Sequence, residues 1–303
     1  MNAGAKLGAY GLLLAAVLGA GAAVGAIAGP IDIGESTPHD AADGGHGGDG
    51  SARDGVAAAD EIPAAGLLVS QDGYTFEPEE RTTGGGEFAF TITGPDGSPV
   101  RSYDVLHDRE LHLIVASRDL QQYQHVHPER DEHGRWTVDL DEMPAGAYRA
   151  FADFRASGAD QYTLGVDLSV AGPTPELVPL APRSNDSIDG FDITLDHDLD
   201  GTSTEVTVTV RRDGEVVTTE PYLGAAGHLV ALRDGDLAYL HVHPLDEDPG
   251  GPVQFAVEVP SAGRYALFFD FKVDGAVRTA RFVVDAPAPA TAAGHGDSDD
   301  SDH

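Results

Sequence analysis

Two hexapeptides hold the residues best suited to chemistry, YQHVHP at 123–128 and YLHVHP at 239–244. Tyr123, His125 and His127 alternate with other residues in the first, as do Tyr239, His241 and His243 in the second. Side chains two apart on an extended strand share a face. Each hexad therefore sets two imidazoles side by side, with Val126 or Val242 on the reverse. Imidazoles placed this way are either metal ligands or members of a polar cluster that needs partners.

A further histidine precedes each hexad at the same interval. His112 opens HLIVASRDLQQYQHVHP and His228 opens HLVALRDGDLAYLHVHP. Downstream, AGAYRAFADF (145–154) matches SAGRYALFFDF (261–271), which pairs Tyr148 with Tyr265, Asp153 with Asp270 and Phe154 with Phe271. The repeat length of about 116 residues is that of a tandem domain, well beyond the 20–50 residues of a solenoid unit. Apolar positions drift between the copies, with Gln124 against Leu240 and Ala150 against Leu267, while the histidines and the aspartate stay.

Three imidazoles and a carboxylate per copy can make a four-coordinate zinc site or a tetragonal Cu(II) site. The expected ligand sets are His112, His125, His127 and Asp153 in the first copy, and His228, His241, His243 and Asp270 in the second. The aspartate would serve as ligand or as acceptor behind a ligand. The competing reading is a structural network, in which tyrosine hydroxyl, imidazole and carboxylate satisfy one another at a strand edge. Duplication would copy either arrangement.

These residues need strands to hold them, and the chain supplies strands throughout. GEFAFTI (86–92), LHLIVAS (111–117), RWTVDL (135–140), AYRAFADF (147–154) and YTLGVDLSV (162–170) alternate or run apolar over strand lengths. A second series follows: FDITLDH (191–197), STEVTVTVRRDGEVV (203–217), HLVALRD (228–234), LAYLHVH (237–243), VQFAVEV (253–259), RYALFFDF (264–271) and RTARFVVDA (278–286). No capped amphipathic helix stands out between 64 and 286. The expected fold is all-β, with two tandem Ig-like sandwiches at 64–171 and 187–286. GPTPELVPLAPRSND (172–186), with four prolines, is the natural linker between them.

The ends differ in character. Residues 7–29 carry no charge and could span a bilayer or act as an export signal, Ala26-Ile27-Ala28 resembling a cleavage site. Lys6 before that stretch favours a cytoplasmic N-terminus, so the rest of the chain is expected outside the membrane. Residues 30–63 and 287–303 read as acidic, Gly- and Ala-rich tethers, with His39, His46, His295 and His303 as spacer residues.

Composition removes several function classes. With 51 acidic and 18 basic residues the formal charge is −33, which opposes binding to nucleic acid or anionic lipid. Such acid excess, with Lys6 and Lys272 as the only lysines, suits a halophile, where salt screens self-repulsion. Cysteine is absent and methionine occurs only at Met1 and Met143, so any metal is held by nitrogen and oxygen. No Ser–His–Asp set, phosphate loop or catalytic carboxylate pair can be made out, so no enzyme is expected. His107 and His133 read as surface residues. DHDLDG (196–201) begins like a calcium loop but has Thr207 where its last carboxylate belongs.

The segments HLIVASRDLQQYQHVHP and PYLGAAGHLVALRDGDLAYLHVHP, with the Phe-x-Asp-Phe strand, resemble secreted two-domain proteins of actinobacteria and haloarchaea. Their arrangement is similar to exported Ig-like copper-resistance and metal-handling sandwiches. The resemblance covers about residues 65–286 and implies an exported metal-handling role. The chain departs from the copper-resistance pattern in lacking methionine ligands and an N-terminal histidine ligand. Two functions are therefore expected to compete. One is an extracytoplasmic buffer, scavenger or delivery protein for Cu(II) or Zn. The other is a cell-surface module whose sandwich faces bind an envelope protein.

Overall fold

Alternating apolar residues in short runs, broken by Asp-Gly turns, fold here into nineteen strands, with no helix among the described residues. The computed structural model describes residues 65–173, 175–197, 203–240, 242–245, 250–259 and 261–287. The apolar stretch 7–29, both tethers, His241 and most of the calcium-like loop (Asp198, Asp200 and Gly201) lie outside the described residues. Within them, no helix is long and apolar enough to cross a membrane.

The first copy is a sandwich of two antiparallel sheets. One orders β1 (Ser70–Gln71), β2 (Tyr74–Pro78), β3 (Gly86–Thr93), β7 (Arg135–Leu140) and β6 (Glu129–Arg130), in the sequence β1-β2-β3-β7-β6. The other runs β5-β4-β8-β9, from β4 (Leu111–Ser117), β5 (Tyr123–Val126), β8 (Gly146–Arg155) and β9 (Gln161–Val170). Between them lie Phe76, Phe90, Leu113, Val115, Trp136 and Phe154, among other buried side chains. Trp136 stacks on Phe90 at 6.2 Å and meets Tyr103 edge-on at 5.1 Å.

The second copy repeats the plan. Its first sheet is built from β10 (Asn185–Ile188), β11 (Phe191–His197), β12 (Ser203–Arg212), β17 (Val253–Glu258) and β16 (Val242–Pro244), in the order β10-β11-β12-β17-β16, with β13 (Glu215–Val216) also paired to β12. The second is β15-β14-β18-β19, from β14 (His228–Arg233), β15 (Tyr239–Leu240), β18 (Gly263–Val273) and β19 (Ala276–Ala286). The β12–β13 hairpin turns at Asp213-Gly214, both at positive φ, a conformation that asparagine-like residues and glycine tolerate best. Even the cross-sandwich tyrosines recur. Tyr148 Oη donates to the Pro144 carbonyl at 2.8 Å and Tyr265 Oη to the Ser261 carbonyl at 2.7 Å, each four residues upstream. That is the corner interaction common in Ig-like sandwiches.

One feature of the sequence, the unbroken burial of β4, has its cause in how the copies meet. LHLIVAS is buried at all seven positions, which a half-exposed sheet would not permit. Leu111, Leu113 and Val115 face the first sandwich core, while Ile114 and Ala116 join Phe151 on the reverse. Packed against that reverse face are Val230, Leu232, Ala266 and Phe268 of the second copy. The two four-stranded sheets therefore share a third core between the domains. The aromatic contacts cross it reciprocally: Tyr123 stacks on Phe268 at 4.0 Å with rings 4° apart, and Phe151 meets Tyr239 at 5.8 Å. Each hexad tyrosine thus rests on the opposite domain.

The lead-in chain also bridges the copies. Arg149, buried, donates to the carbonyls of Gly66, Leu67 and Gly165 at 2.8, 2.8 and 3.1 Å, and the Ala65 carbonyl accepts from Tyr239 N at 2.9 Å. Gly165 allows this close approach, since a Cβ there would sit 2.0 Å from the Gly66 oxygen.

Candidate functional site at the domain interface

His112 and His228 are at the same register position in their sheets. His112 pairs across the ladder with Asp153, and His228 with Asp270. On β4, His112 shares a face with Ile114 and Ala116, so it points at the second domain. On β14, His228 shares a face with Val230 and Leu232 and points at the first. In the hexad, Val126 packs against the first core while Tyr123 packs against the interdomain core. The face carrying Tyr123 and His125 therefore also turns to the interface. Strand alternation sets the face these histidines share, and the packing of the two sheets brings those of both copies together.

His112, His125 and His228 converge so that one ligand nitrogen of each lies within 4.8 Å of the other two. The His112 and His228 rings stack at 5.5 Å, and His125 lies 4.7 Å from His228. His127, just past β5, approaches His125 at 4.9 Å and His112 at 5.1 Å. Two buried nitrogens in this group, His228 Nδ1 and His127 Nε2, have no hydrogen-bond partner.

The outer contacts fix the ring tautomers. His112 Nε2 faces the Leu106 carbonyl at 3.0 Å, and a carbonyl only accepts, so the proton sits on Nε2. His125 Nδ1 donates to Asp270 Oδ2 at 2.7 Å, with both side chains almost wholly buried. Thr279 Oγ1 donates to the other carboxylate oxygen of Asp270 at 2.5 Å and holds it in place. The remaining ring nitrogens, His112 Nδ1 and His125 Nε2, face each other 3.0 Å apart. Either a proton on His125 Nε2 or a metal ion bridging the pair satisfies both nitrogens at that distance. Two nitrogens each about 2.0–2.1 Å from one metal ion, at roughly a right angle, lie about 3 Å apart.

Burial lowers the pKa of His112, His127 and His228. Desolvation, reinforced by the neighbouring His125 ring, lowers His112 to about 4. Desolvation and then the His125 and His112 rings lower His127 to about 3, and burial holds His228 well below the usual histidine value. Neutral imidazole is the form that binds metal. It also sets a pH dependence for the metal-free protein. An unfolded His112 takes its proton near 6.5 and the folded one only near 4. Between those values the unfolded chain holds more protons, so stability is complete above the window and falls as pH drops through it. His112 alone is expected to contribute a slope of about 1.4 kcal/mol per pH unit. Urea midpoints of metal-free protein between pH 7 and 4.5 check this, and His112→Gln should flatten the curve relative to wild type.

The expected residues are thus not assembled as two equal sets. Asp270 does not aim at its own domain's histidines but supports His125 of the other copy. Asp153 accepts from Gln161 Nε2 and Thr163 Oγ1, each at 3.1 Å, and acts on its cross-strand neighbour His112 only through its charge. The second hexad is not one strand either. Tyr239–Leu240 pairs with β14, whereas Val242–Pro244 crosses to the other sheet and pairs with β17, leaving His243 exposed. His241 lies outside the described residues. Of the five expected ligand histidines that are described, His112, His125 and His228 share the tight cluster, His127 adjoins it and His243 is exposed, so the single-domain arrangement gives way to a shared one.

His107, read as a surface residue, is exposed but stands at the cluster's rim, 6.1 Å from His112 and 5.8 Å from His228. It has φ of 48°, and Leu223 with φ of 56° takes the matching place in the second copy. His133 is exposed, as its turn implied.

Sequence comparison places a domain of unknown function, DUF8832, at residues 69–172 and again at 186–288. The chain belongs to the DUF8832 family. No curated protein matches it. Among solved structures, a DUF4426 family protein of Pseudomonas aeruginosa is 10% identical, with 35% of this chain and 98% of that one covered and a TM-score of 0.28. The FN1–FN3 domains of chicken CNTN1 are 13% identical over 70% of this chain and 66% of theirs, at a TM-score of 0.21. The D00–D0 domain of intimin is 9% identical over 69% of this chain and 98% of its own, also at 0.21.

Proposed function

We propose that this DUF8832 protein is an extracytoplasmic metal-binding protein that holds Cu(II) or Zn(II) through histidines at its domain interface. The observation that carries the reading is the convergence of His112, His125 and His228, with His112 Nδ1 and His125 Nε2 facing each other at 3.0 Å. Each is fixed by a partner that can only accept, the Leu106 carbonyl and the Asp270 carboxylate. A histidine that gives its outer N–H to a carbonyl or carboxylate while its inner nitrogen faces an ion is the usual arrangement behind metal ligands. The donor set is nitrogen without thiolate, which suits Zn(II) and Cu(II) over Cu(I). The uncharged stretch 7–29 and the acidic tethers support placement outside the membrane, where such a protein would buffer, scavenge or deliver its ion.

A second reading is a cell-surface interaction module, in which a proton takes the ion's place. A doubly protonated His125 would donate to both Asp270 and His112, and the buried His125–Asp270 pair is the observation in its favour. The tandem Ig-like architecture, with its long interdomain core, supports a rigid display of loops or faces to an envelope protein.

Loading with Cu(II) or Zn(II), desalting and metal analysis separate the two. The metal reading expects retained ion in wild type and its loss in His125→Ala. No retention by wild type would leave the interaction module.

A further inference from the structure

Duplication delivered two hexads, and the fold uses them unequally. The first lies against the cluster, while in the second His243, the counterpart of His127, is exposed on the other sheet. His127 Nε2 instead belongs to a ring within 5.1 Å of two cluster members and is a buried nitrogen with no partner. Leaving such a nitrogen unpaired is unfavourable. His228 Nδ1, from the second domain, is the other unpaired nitrogen in the same group.

We infer that the chain holds one ion, not two, in a four-histidine site spanning both domains, with His112, His125 and His228 as ligands and His127 closing the coordination. This rests on the metal-binding reading above and adds the stoichiometry, the fourth ligand and the joint ownership of the site. His112, His125 and His127 come from the first domain. The second contributes His228 as ligand, and Asp270 with Thr279 as the pair that aims His125. His127 stands outside the tight trio, so its ring turns inward as the ion enters. Three nitrogens within 4.8 Å of one another draw closer to share a centre about 2.0–2.1 Å away.

The first domain supplies three of the four ligands and the second completes the set. A bound ion therefore ties β4 and β5 of one sandwich to β14 of the other, next to the Tyr123–Phe268 stack. Asp153 stands outside the proposed ligand set, its carboxylate accepting from Gln161 and Thr163 within its own sheet.

Cobalt(II) titration of the full chain, followed by its visible absorption, tests the inference. Wild type is expected to saturate at one equivalent with the intense bands of a four-coordinate ion. His127→Ala should still bind one equivalent but lose affinity by about 10-fold or more and shift the bands as water replaces a ligand. His228→Ala should abolish tight binding, and His243→Ala and His107→Ala should match wild type. Far-UV circular dichroism on each variant confirms that it is folded, and Asp270→Asn, which keeps the shape, provides an independent weakening of the same site. Saturation at two equivalents, full affinity in His228→Ala, or a His127→Ala titration identical to that of His243→Ala would overturn it. Absence of any binding by wild type would instead reject the underlying metal reading.

Discussion

His112→Ala is expected to reduce affinity for Cu(II) or Zn(II) by more than about 100-fold, because residues that only support a ligand already cost 10–100-fold when removed. His112 is the hub of the cluster. Its ring faces His125, His127 and His228, and its Nε2–H is anchored on the Leu106 carbonyl. The same substitution should be mild for the metal-free fold, since it also removes the opposed nitrogens at 3.0 Å and a buried imidazole. Competition titration with a chromophoric chelator measures the affinity, and urea denaturation of metal-free protein measures the stability. A variant that lost several kcal/mol of stability with its affinity intact would show that His112 is a structural residue.

The largest stability effect is expected from Phe268→Ala. Large-to-small changes of buried aromatic residues cost about 3–5 kcal/mol, through lost burial and the cavity left behind. Phe268 is buried in the interdomain core and stacks face to face on Tyr123. Its loss leaves Tyr123 without that support, and Tyr123 stands two residues before His125 on β5. Two positions along β18 from Phe268 lies Asp270, which aims His125. Metal affinity should therefore fall along with stability, although Phe268 is no ligand. Phe90→Ala, inside the first sandwich and away from the interface, should cost comparable stability with far less effect on affinity. Equal affinity losses in the two variants would mean that the site senses global stability and not the interface.

Much of this arrangement was legible in the residues. Alternation in GEFAFTI and RWTVDL, and the apolar run LHLIVAS, corresponds to strands β3, β7 and β4. The tandem repeat, visible in HLIVAS and HLVALR, is the same duplication found as two DUF8832 domains. The shared face of Tyr123 and His125 followed from strand geometry, and so did the opposite orientation of Val126.

What the residues concealed was the relation between the copies. A period-two pattern tells which side chains share a face but not what covers that face. LHLIVAS could be read as buried, yet nothing in it says that its outer face meets Val230 and Phe268 of the other copy. For that reason the repeat groups the ligands by copy, whereas the fold groups them by interface. Asp270 illustrates the difference: it is the repeat partner of Asp153, yet its hydrogen bond crosses 145 residues to His125. A signal was available in the apolar character of both faces of β4 and β14, which no single isolated sandwich requires. The split of the second hexad was less accessible, because YQHVHP and YLHVHP are nearly identical. The fold nonetheless sends His243 to an exposed edge on the other sheet.

The central claim is that histidines from both sandwiches hold one metal ion between them. Metal analysis of the full chain after loading with Zn(II) or Cu(II) and desalting tests it most directly. One retained ion per chain, lost in His125→Ala and in His228→Ala alike, is the predicted result. No retained ion in wild type, or an ion retained unchanged when His228 of the second sandwich is removed, would contradict it.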